Sequence, residues 1–234
     1  MEKSLQNRVG YFFVGILIIT TLGFYPTYLS KFPAFEGLTT AHHFHGFVAS
    51  LWIVMLITQS FLIRAKQYPL HRLIGKASYV VMPLLLISLF LVTRAGYYRN
   101  IRVISEADTL AGLTSGLPDI LFLGTLFTLG MVYRKRPAWH LRFLSSTGLM
   151  ILGPGLGRFL IVFCGLPFMI AIPLLIGLTT GVALIWMILD IRQKKSAIPM
   201  AVFVGIGILA FVIGANNHSV WWQGFAGWVA THWF

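Results

Sequence analysis

In the stretch AHHFHGFVASLWIVMLITQ, residues 41–59, three histidines fall within four positions at the head of an apolar run. Imidazole gives and takes protons near neutral pH, and in its neutral form it ligates Zn, Cu and Fe. His45, Trp52 and Gln59 are spaced by seven, so a helix carries them as a slowly drifting stripe on one face, which His42 joins one turn earlier. A polar stripe on a membrane helix must face protein, because lipid cannot satisfy its donors. A second polar group lies elsewhere in the chain. QYPLHRLIGKASYV carries His71-Arg72 and then Gly75, and RKRPAWHLRFLSSTGLMILGPGLGRF carries His140, Arg142 and then Arg158.

The elements that position these residues are membrane helices. Of 234 residues, 57% are hydrophobic and 10% are charged, against about 25% charged in a soluble domain. Apolar blocks of spanning length recur along the whole chain. The fold class is all-α: a polytopic membrane helix bundle of about seven transmembrane helices. Their expected positions are 10–30, 42–63, 75–95, 117–133, 141–163, 168–190 and 198–216. The first is read as a retained span, because a cleaved signal peptide would have a shorter apolar core and a small-residue cleavage site. The Trp- and Gly-rich tail HSVWWQGFAGWVATHWF reads as an interfacial segment. The whole chain, 1–234, reads as a single integral membrane domain, with no linker or visible repeat. The single cysteine, Cys164, lies in an apolar segment and has no partner for an internal disulfide.

Charge sets the orientation. The 18 Lys and Arg residues against 6 Asp and Glu would point to nucleic acid in a soluble protein. Here no basic stretch alternates with aromatics on a polar chain, and nucleic-acid binding is not expected. With the N-terminus inside, the inner segments hold Lys3, Arg8, Arg64, Lys66, Arg72, Lys76, Arg134, Lys135, Arg136, Arg142, Arg192, Lys194 and Lys195. That asymmetry predicts N-in and C-out. The segment 96–116 runs against it, being both outer and basic.

This orientation puts two polar clusters at two depths. At the outer level, His42, His45, Asp119 and His218 are the candidate metal ligands, since imidazoles and a carboxylate from separate helices suit Zn, Cu or Fe. Asp119 is also the expected partner of Arg158, whose charge inside a span needs compensation. The plainer alternative is that these histidines are interfacial, as is expected of His43. Toward the inner side, His71, His140 and Arg142, with Trp52, Gln59 and Arg158 further along the bundle, are the candidate cofactor-binding residues. The alternative there is that the arginines hold anionic lipid headgroups at the inner face. Gly153, Pro154, Gly155 and Gly157 around Arg158 predict a close backbone approach and a locally opened helix.

The HR-x-x-G run (His71, Arg72, Gly75) and the later H-x-R (His140, Arg142), followed by the intramembrane Arg158, resemble a group of bacterial multi-pass predicted membrane proteins over residues 42–160. This chain has Phe143 and Leu144 after Arg142, a modest departure from the H-x-R-x-M pattern. The resemblance implies the bacterial inner (cytoplasmic) membrane. A more distant similarity, to membrane b-type cytochromes and ferric-reductase-like proteins, implies haem b. No expected span carries two histidines thirteen or fourteen residues apart, so haem ligands would come from different helices, such as His71 with His140.

Three function classes follow. The first is a metal- or haem-binding membrane redox protein with the bilayer as medium and a quinone as electron partner. The second is a transporter or permease using Arg158 and Asp119 as a substrate or proton site, with helix five opened by glycine and proline. The third is a non-catalytic assembly or sensor subunit. A classical hydrolase is disfavoured, because neither G-x-S-x-G nor H-E-x-x-H occurs.

Overall fold

Each apolar run becomes a helix, because in lipid the backbone N–H and C=O groups have only one another as partners. The computed structural model describes residues 2–234, with side chains from residue 8 onward; Met1 and the Lys3 side chain of the charge asymmetry lie outside the described residues. Among the described residues the order is α1 (Glu2–Phe24), α2 (Thr40–Arg64), α3 (Tyr68–Lys76), α4 (Ser78–Asn100), α5 (Glu106–Gly112), α6 (Leu117–Val132), α7 (Pro137–Val162), α8 (Phe168–Arg192), α9 (Ile198–Ala215) and α10 (Val220–Trp233), with no strand. Six helical segments are long and apolar enough to cross a bilayer: Thr40–Arg64, Tyr68–Asn100, Glu106–Val132, Pro137–Val162, Phe168–Arg192 and Ile198–Ala215. Helix α1 adds the apolar stretch Arg8–Phe24. The chain is an all-α membrane helix bundle. "Inner" below denotes the end where α2 finishes and α4 begins, which carries the basic connections.

The elements match the expected spans closely, with three informative differences. Helix α1 begins earlier than expected and ends at Phe24, just before Tyr25-Pro26; the residue preceding proline is pushed out of the helical region. The HR-x-x-G run stands at the head of the spanning segment Tyr68–Asn100, set off from it by a break at Ala77. It forms its own amphipathic helix, α3, which starts with Pro69 in its first turn and gives way to α4 beyond Ala77. The tail is a full helix, α10, tied to the protein. Trp222 is buried and its indole N–H donates to the carbonyl of Leu110 on α5 at 3.0 Å, while Trp221, Trp228 and Trp233 stay exposed.

Helix α7 is the centre of the bundle, packing on α1, α2, α6, α8 and α9. The α1–α7 seam is a backbone-on-backbone contact of the kind its glycines predict. A Cβ on Gly23 would overlap the carbonyl oxygen of Gly155, and one on Gly155 would lie 2.6 Å from Thr20 Cα. One core gathers Phe13, Trp52, Met82, Leu85 and Phe127 from α1, α2, α4 and α6. A second, around Phe143, Leu149, Ala183 and Phe203, joins α7, α8 and α9.

Candidate functional site

The stripe on α2 faces protein, and each member finds its partner on a different helix. His45 Nδ1 lies 3.0 Å from Ser88 Oγ on α4, and that hydroxyl donates its proton to the Leu85 carbonyl at 2.7 Å. With the serine proton committed, His45 must donate through Nδ1. Trp52 is buried and donates its indole N–H to Thr147 Oγ1 on α7 at 3.1 Å, with Phe127 edge-on at 5.6 Å. Gln59, at the inner end, reaches α3. Its amide nitrogen meets Nδ1 of His71 and the His71 carbonyl at 3.0 Å, and its oxygen meets the Gly75 N–H at 3.3 Å. The amide orientation follows from its backbone partners, since a carbonyl only accepts and an N–H only donates.

That orientation fixes the chemistry of His71. An amide N–H pointing at Nδ1 makes Nδ1 an acceptor, so the proton of the neutral ring sits on Nε2. His140, in the first turn of α7, has the opposite arrangement. Its Nδ1 lies 2.8 Å from the carbonyl oxygen of Gly130 on α6; only an Nδ1–H can satisfy that contact, which leaves the lone pair on Nε2. Both rings are half-buried, and the charge of His140 bears on His71. One offers a donor and the other an acceptor.

On the lipid face an apolar groove of about 410 Å³ runs between α4 and α6, lined by Leu86, Ile120, Leu121, Gly124, Thr125, Thr128 and Leu129. Its last residue, Leu129, immediately precedes Gly130, whose carbonyl holds His140.

Arg142 is not part of an open headgroup site. It is 1% exposed and forms a two-pronged ion pair with Asp190 on α8, Nε to Oδ2 at 2.6 Å and a terminal nitrogen to Oδ1 at 2.5 Å. A further N–H goes to the Ala138 carbonyl at 2.9 Å, and Trp186 lies under the guanidinium at 5.8 Å. Sequence reasoning passed over Asp190. It stands at the end of an apolar run, two residues before Arg192, and so reads as an interfacial residue, although a carboxylate in a span with 6 acidic residues in the whole chain is itself a signal.

The outer candidates do not gather into one ligand set. His42 Nδ1 receives the Thr39 backbone N–H at 3.2 Å and lies 2.8 Å from Thr39 Oγ1, completing the cap of α2. His43 pairs with the Tyr28 hydroxyl at 2.7 Å. His218 lies 3.6 Å from Asp108 at the exposed surface. Asp119 sits in the first turn of α6, where its charge complements the helix dipole. It does not pair with Arg158, whose guanidinium lies over the Phe24 ring at 4.2 Å and donates to the Pro154 carbonyl at 3.1 Å. Among the described residues no three His, Cys, Asp or Glu side chains group so as to hold a metal ion. Compared with protein-family models, curated proteins and solved structures, the chain matches none.

Proposed function

We propose that this integral membrane protein acts in membrane redox chemistry by binding a lipid-soluble quinone at the inner histidine pair, His71 and His140. The observation that carries the reading is the opposite protonation of the two rings. A quinone carbonyl accepts from His71 Nε2–H, and a quinol hydroxyl donates to His140 Nε2. The pair therefore fits both forms of a compound that carries a carbonyl in one oxidation state and a hydroxyl in the other. The apolar groove between α4 and α6 suits the quinone tail.

Haem held by both histidines is the second reading, and the donor set speaks against it. Ligation through His71 Nε2 moves the ring proton to Nδ1, where it meets the Gln59 N–H, so Gln59 must give up its bonds to α3. A metal at the outer level meets the same difficulty at His42, whose Nδ1 already accepts a backbone N–H. Transport through an Arg158–Asp119 pair has no contact between the two to support it.

The test is titration of the purified full-length protein with a short-tail quinone, together with an absorption spectrum. Stoichiometric binding is expected, weakened about tenfold or more by His71→Ala and by His140→Ala, as loss of a hydrogen bond in a desolvated site predicts. A Soret band lost on either substitution would replace the reading with haem. Absence of quinone binding would end it.

A further inference from the structure

Toward their outer ends α2 and α4 are first pinned together and then left open. The pin is the contact of His45 Nδ1 with Ser88 Oγ at 3.0 Å. Outward of it the same two helices border a groove of about 570 Å³. Ala41 and Phe44 line the groove from α2, and Leu91, Arg94, Ala95 and Tyr98 line it from α4. A cation therefore stands at the edge of an otherwise largely apolar cleft.

Arg94 lies within about two turns of the end of α4 at Asn100, a depth from which a long basic side chain reaches the headgroup level. It is exposed, yet it is not undirected. Its guanidinium lies over the Tyr98 ring, 5.5 Å from the centroid. That ring is itself held, because the Tyr98 hydroxyl donates to the Phe234 carbonyl, and Phe234 packs on Phe90 at 5.6 Å and on Tyr97 at 5.3 Å. Contact with a ring uses the flat face of a guanidinium and leaves the N–H groups at its edge to donate. Among the described residues no carboxylate pairs with Arg94.

We propose that this groove seats one anionic phospholipid, its phosphate on Arg94 and one acyl chain along Phe44 and Leu91. The guanidinium fork matches a phosphate in shape and charge. Leu91 lies about one turn closer to the bilayer centre than Arg94, the direction in which an acyl chain leaves its phosphate. A zwitterionic lipid brings its own cation to the phosphate. A lipid of net negative charge brings none, and Arg94 supplies it. The site is independent of the inner histidine pair and stands or falls apart from it.

The experiment is native mass spectrometry of the full-length protein, freed of lipid in neutral detergent. The probes are phosphatidylglycerol, phosphatidylcholine and inorganic phosphate. One phosphatidylglycerol per chain is expected, held about fivefold more tightly than phosphatidylcholine, as for one basic residue at a membrane surface. Arg94→Gln should erase that preference, and Arg94→Lys should keep part of it. Ala95→Phe fills the groove and leaves the charge, so it should weaken retention of both lipids. Arg94 is exposed, so its variants fold and keep the test decisive if Ala95→Phe does not. Equal retention of the two lipids, an unchanged preference in Arg94→Gln, or unchanged retention in Ala95→Phe would overturn the site. So would inorganic phosphate bound as tightly as phosphatidylglycerol, which would make the occupant a free solute, or a lipid-free dimer broken by Arg94→Gln, which would make it a second copy of the chain.

Discussion

Two arginines on one helix, Arg142 and Arg158, sit inside the span of α7 under opposite conditions. Arg142 is cancelled by Asp190, a two-pronged pair with both side chains almost wholly buried. Arg158 has a ring face and one carbonyl, with no carboxylate among the described residues. An intramembrane charge is costly, so one that the protein leaves unneutralised is more informative than one it has paired. Toward the inner end the intramembrane charge of Arg142 is cancelled in the core, beneath the basic connections; toward the outer end Arg158 keeps its charge.

The sharpest way to break this comparison is to remove a charge at each end. Asp190→Asn strands Arg142 in the core and is expected to destabilise the protein by about 3–5 kcal/mol. Arg158→Gln gives up a cation–π contact and is expected to cost no more than about 2 kcal/mol. Unfolding in mixed micelles measures both, and equal losses would show that Arg158 has a partner as strong as Asp190. Next in size is the seam that places Phe24 under Arg158. Gly23→Ala puts a methyl group into Gly155 and should destabilise by about 1–3 kcal/mol. An unchanged melting temperature would contradict the close approach.

The helix bundle was legible in the sequence because length, hydropathy and loop charge are local properties. The stripe His45, Trp52, Gln59 was legible for the same reason: a spacing of seven fixes a face, and each residue does reach another helix. Partnership was not. Asp119 is the carboxylate that depth alone would assign to Arg158, yet the ion pair of α7 forms at its other end, with Asp190, because α7 packs on α8 there. His42 and His45 read as candidate metal ligands and His43 as interfacial, and His42, His45 and His43 point to Thr39, Ser88 and Tyr28. Adjacent helical positions are about 100° apart and do not share a target. The tautomers of His71 and His140 depend on Gln59 and on the Gly130 carbonyl, contacts that only the fold brings together.

Gln59→Leu sharpens the inner half of the comparison. Losing the amide bonds to α3 is expected to cost about 1–2 kcal/mol and to free His71 to adopt either tautomer, weakening quinone binding while His140 stays in place. Unaltered quinone affinity would remove Gln59 from the site. The smallest expected effect is on the outer side: Arg99→Gln should change stability by no more than about 0.5 kcal/mol, as for an exposed residue without an ion pair. A larger loss would make Arg99 structural.

The measurement that tests the account most directly is nitrogen NMR of the protein labelled at ring nitrogens of its 7 histidines, in lipid at neutral pH, with His71→Ala and His140→Ala used to assign the two signals. The account predicts a protonated Nε2 and a bare Nδ1 at His71, and a protonated Nδ1 and a bare Nε2 at His140. Both rings in the same tautomer would contradict it.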